Sequence, residues 1–69
     1  MTNEEFKALK QGDAVTFIGP NENMYGLATG STLTRKESWL DDDHSLAFTY
    51  DGRLGNNTFH FFKVEDIQE

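Results

Sequence analysis

Thr58-Phe59-His60-Phe61-Phe62-Lys63-Val64 is the stretch on which the fold turns. It holds no Gly or Pro, and its aromatic content suits a pleated, partly buried surface. Its side chains alternate: Phe59 and Phe61 share one face, while His60, Phe62 and Val64 share the other. Apolar residues on both sides predict a strand covered on both faces. The expectation is that Phe59 and Phe61 face the core.

The same period of two extends towards the N-terminus. Residues 45–50 place Leu46, Phe48 and Tyr50 on one side of a second strand. Asp51-Gly52 is a hairpin-type dipeptide, and Gly55-Asn56-Asn57 is a second turn signal. Asn56-Asn57-Thr58 is also a formal glycosylation sequon, read here as a turn. Residues 31–37 alternate more weakly and predict another strand. Gly19-Pro20-Asn21-Glu22-Asn23 is a turn and loop signal, and residues 24–30 read as irregular. In residues 14–18, Val15 and Phe17 share a face. Ahead of them, Thr2 and Glu5 form a capping box, and Phe6 and Leu9 lie on one side of a short helix over about residues 2–10, which Gly12 would stop. At the C-terminus, residues 65–69 suit one helical turn anchored by Ile67. The expected core is Val15, Phe17, Leu27, Leu33, Leu46, Phe48, Phe59 and Phe61.

These elements predict a mainly β fold: a single domain over residues 1–69, built as a small SH3-like barrel of four to five antiparallel strands from about residue 13 onward, behind a short N-terminal helix. Closing or bending such a sheet leaves fewer open edges. The 69 residues include no Cys, which excludes disulfides, thiol chemistry and Cys-based zinc sites. Six basic residues stand against twelve acidic ones, a net charge of −6. The bases are scattered, so direct nucleic-acid binding and anionic membranes are not expected, whereas a protein with a basic surface is. No apolar run is long enough for a membrane span, and the polar start is not a signal peptide; a cytoplasmic location is the expectation. The chain is expected to be a monomer or a small homo-oligomer.

Three stretches carry a resemblance to a known group. They are the Gly-Asp turn and alternating strand of residues 9–17, the run Leu27-Ala28-Thr29-Gly30-Ser31-Thr32-Leu33-Thr34, and the aromatic strand, turn and closing Ile67 of residues 59–67. The second is similar to a Leu-Thr-x-Gly-x-x-Tyr-x-Val lead into a second strand. Together they resemble the small SH3-like β-barrel proteins encoded by bacteriophages and prophages, especially of Gram-positive hosts. The resemblance implies a fold and a phage-like setting in the host cytoplasm. It implies no activity, because such barrels host unrelated functions.

No residue set asks for catalysis, a cofactor or a metal. Asp41-Asp42-Asp43-His44 is the densest set of potential ligands, but it lacks the spacing and central Gly of a calcium loop and reads as a solvated turn. His60 is read as a strand residue at the barrel rim, and no Ser stands in a nucleophile elbow. Residues 26–32 lack the Lys of a phosphate loop. The remaining signal is aromatic. Tyr25, Trp39 and Phe62 are candidate apolar anchors for a protein partner, and Asp41, Asp42 and Asp43 are candidate steering charges. The expected function is therefore a non-catalytic protein-binding module acting on a host protein as inhibitor or modulator. The alternatives are an acidic DNA mimic that inhibits a nucleic-acid enzyme, a small ligand-binding protein, and a structural or virion-associated component.

Overall fold

The computed structural model describes all residues but 53 and 54, and the side chains of all but 52–57. Its elements are helix α1 (Asn3–Lys7), strands β1 (Ala14–Phe17), β2 (Thr32–Arg35), β3 (Ser45–Gly52) and β4 (Gly55–Lys63), a 3-10 turn (Val64–Asp66), and strand β5 (Ile67–Gln68). The strands form one antiparallel sheet in the order β4-β3-β2-β1-β5, curled into a half-barrel with the short helix beside it. The mainly β architecture expected from the sequence is the one observed.

The helix begins where the capping box places it. The Glu5 N–H donates to the Thr2 hydroxyl at 3.1 Å, and the Thr2 N–H donates to the Glu5 carboxylate at 2.8 Å. That bond from Thr2 holds the Glu5 carboxyl below its ordinary range. The helix ends earlier than expected, with Ala8 as its C-cap. The reason lies in Asp13, whose carboxylate accepts the Lys10 N–H at 2.8 Å while its own N–H donates to the Lys10 carbonyl at 3.0 Å. This local turn competes with helix continuation. Gly12 serves that turn rather than the helix end: its φ of +96° is a conformation that suits glycine. Its N–H donates to the Arg35 carbonyl at 2.9 Å, which ties the turn to β2.

Val15 and Phe17 of β1, Leu33 of β2, and Leu46, Phe48 and Tyr50 of β3 all point inward and are buried. Phe6, Leu27 and Ile67 close the same cluster. Ile67 anchors the C-terminus as expected, and the turn before it leads into a strand that the sequence pattern did not mark.

One strand face is the reverse of the expectation. Leu46 pairs with Phe62 and Phe48 with His60, so the inner face of β3 continues on β4 through Phe62 and His60. Phe62 is fully buried at the centre of the core, with ring centroids 4.4–6.0 Å from Tyr25, Phe17, Phe48 and Tyr50. Phe59 and Phe61 stand on the outer face, and Phe59 is 44% exposed. Residues 55–57 belong to β4, so neither that turn signal nor the sequon forms a turn there. Asp51 and Gly52 end β3 and Gly52 pairs with Gly55; residues 53 and 54, between them, lie outside the described residues.

Candidate functional site

The site grows from the last residue of β2. In a strand with Leu33 facing inward, Arg35 two residues later must face inward as well. It is 7% exposed, and its guanidinium lies 6.0 Å from the centre of the Phe48 ring. A buried guanidinium requires a charge partner and hydrogen bonds. Asp41 supplies the charge, accepting from Arg35 Nη2 at 2.7 Å. Arg35 Nη1 donates to the carbonyls of Ala47 at 3.1 Å and of Lys36. The Nε–H has no partner among the described residues.

Asp41 does more than neutralise Arg35. Its Oδ2 also accepts the Ser38 N–H at 3.2 Å, and its Oδ1 accepts the Ala47 N–H at 3.0 Å. The carboxylate therefore clamps the loop of residues 36–44 onto β3. Asp42 finishes the loop: one oxygen accepts the main-chain N–H groups of His44 and Ser45, both at 2.7 Å, and the Ser45 hydroxyl at 3.2 Å. Those main-chain donors hold the Asp42 carboxyl below the usual range. Within the loop, the Asp41 N–H donates to the Ser38 carbonyl at 3.1 Å, and the Leu40 N–H donates to the Ser38 hydroxyl at 3.1 Å.

The clamped loop presents its apolar residues to water. Trp39 is 91% exposed and Leu40 52% exposed. A shallow open cleft beside them is lined by Arg35, Glu37, Ser38, Trp39 and Asp41. Asp43 is solvated, as is Asp42, and has an exposed ion pair to Lys7 at 3.9 Å that contributes little stability.

The six candidate residues thus fall into two groups. Trp39, Asp41, Asp42 and Asp43 lie on one loop. Tyr25 and Phe62 lie together elsewhere, and Phe62 offers no surface to a partner. Tyr25 is half-buried against Phe17, Phe62 and His60, and its carbonyl accepts the Tyr50 hydroxyl at 3.0 Å. Burial raises the Tyr25 phenol above its ordinary pKa, with the Asp66 carboxylate adding to the shift. The solvated-turn reading holds for Asp43 and for the exposed Asp42, one of whose carboxylate oxygens also caps the turn, but not for Asp41, which is an internal ion-pair partner.

Sequence reasoning missed Arg35, Ser38 and Leu40. The signal for Arg35 was present: an inward strand position occupied by a cation, followed six residues later by an acid. His60 sits half-buried with ring centroids 5.3 Å from Tyr25 and 6.3 Å from Tyr50, while His44 is exposed. Among the described residues, no three His, Asp or Glu side chains are grouped to hold a metal ion, and no helix is long and apolar enough to cross a membrane. No known protein family, curated protein or solved structure matches the chain.

Proposed function

We propose that the chain is a non-catalytic protein-binding module with Trp39 as its anchor. The observation that carries this reading is a 91% exposed indole on a loop that Asp41 and Asp42 pin at both ends. Exposing an indole forgoes the burial of about 150–250 Å² of ring surface. Returning it to an apolar pocket gains roughly 4–6 kcal/mol gross. A pinned loop loses little further freedom on binding, so more of that gain is retained. The net charge of −6 and the solvated Asp43 fit a partner with a basic surface. In the phage setting that the resemblance implies, that partner is a host protein, which binding would inhibit or redirect. Asp41 and Asp42 are committed to internal hydrogen bonds, which supports a protein-binding role over imitation of DNA phosphates.

Capture from a host lysate, followed by titration of the purified partner, tests this reading. Trp39→Ala should weaken binding by about 30-fold or more, the effect of an interface hot spot. Association should slow as salt rises over about 50–500 mM, where exposed charges become screened. An unchanged affinity for Trp39→Ala would reject the anchor.

A further inference from the structure

The two edges of the sheet are finished differently. β5 is two residues long and is flanked by Glu65, Asp66 and Glu69. Short length and charge are common ways to blunt an edge. β4 is nine residues long, and no acidic residue occurs in the sequence between Asp51 and Glu65.

The register shows which main-chain groups β4 offers. The Lys36 N–H donates to the Ala47 carbonyl at 2.9 Å, so the main-chain groups of Ala47 point towards β2 and those of Leu46 and Phe48 point towards β4. Their partners, Phe62 and His60, bond back to β3. Phe59 and Phe61 therefore turn their N–H and C=O groups away from the sheet, and among the described residues nothing bonds to them. Their rings stand on the outer face in edge contact, with centroids 6.3 Å apart.

We propose that β4 pairs edge to edge with β4 of a second copy, antiparallel, about a two-fold axis through Phe61. The occupant is a second copy because this edge complements itself. Centring the pair on Phe61 sets Phe61 opposite its own counterpart and Phe59 opposite Lys63 of the second copy. Aromatic pairs directly opposite across strands are favourable, and the aliphatic stem of a Lys covers an aromatic ring. Each copy has a net charge of −6 and repels another, but none of its twelve acids lies in residues 52–64. An approach along this edge keeps the carboxylates out of register.

Sedimentation equilibrium across about 10–500 µM tests the pairing, because a mass-action dimer changes its population with concentration. The wild-type chain should pass from monomer to dimer. Phe61→Lys and Phe61→Glu, each alone, should weaken self-association by about 100-fold, because like charges then meet at the axis. An equimolar mixture of the two variants should dimerise again, since opposite charges then face each other. A synthetic chain N-methylated at Phe61 keeps every side chain, should retain the wild-type circular dichroism, and should stay monomeric. A wild-type chain that is monomeric throughout, a mixture that fails to dimerise while both variants remain folded, or an N-methylated chain that still dimerises would each overturn the proposal.

Discussion

Asp41→Ala is expected to cost about 3–5 kcal/mol, because it strands the Arg35 guanidinium at 8% side-chain exposure without its charge partner. A chain of 69 residues has a total stability of about 3–10 kcal/mol, so the variant should be largely unfolded at moderate temperature. The reverse change is expected to be milder. Arg35→Met removes the cation but leaves Asp41 at 17% exposure, still accepting the Ser38 and Ala47 N–H groups. It also removes the unpartnered Nε–H and places an apolar chain beside Phe48. Its cost should be about 1–2 kcal/mol. Urea unfolding of both variants reads the asymmetry directly. Equal losses would mean that the pair contributes as a simple surface ion pair.

Phe62→Ala should cost about 3–5 kcal/mol, the usual range for a fully buried Phe whose removal leaves a cavity. Four aromatic rings surround that cavity, and each is held by contacts of its own, so the site cannot collapse easily. Phe59→Ala, three residues away on the outer face, should cost less than about 1 kcal/mol. What it removes is an exposed ring whose main contacts are Phe61 and the Lys36 ammonium, 4.2 Å from its centre. Thermal melts of the pair should separate them clearly. A larger loss for Phe59→Ala would show that the opposite face of β4 packs inward.

That second comparison also shows where local pattern stops being informative. The helix start, β1 and β3 were legible because each offers one apolar face: Val15 with Phe17, and Leu46 with Phe48 and Tyr50. β4 is apolar on both faces, so alternation alone leaves Phe59 and Phe61 level with Phe62 and Val64. What breaks the tie is the register with β3, which sets Phe62 beside Leu46, and no local pattern contains that register. The early end of the helix depends on the Asp13 carboxylate reaching back to Lys10, a contact that propensity does not weigh. The candidate loop was legible in part. Trp39 and the acidic triplet were visible as residue types, but the division of labour among the three acids follows from Arg35 facing inward. Asp41 is drawn inward by Arg35, while Asp42 caps the turn and Asp43 pairs loosely with Lys7, both exposed to solvent.

A single indole is held out in water by a loop whose ends are fixed. Trp39 is the only tryptophan, so its fluorescence reports on that loop alone. The direct measurement is the emission maximum and acrylamide quenching of Trp39 in the folded chain, compared with the same chain in urea. An exposed Trp39 should give a red-shifted emission and a high quenching constant already in the folded state, with little change on unfolding. A blue-shifted, shielded tryptophan that moves to the red only when the chain unfolds would contradict it.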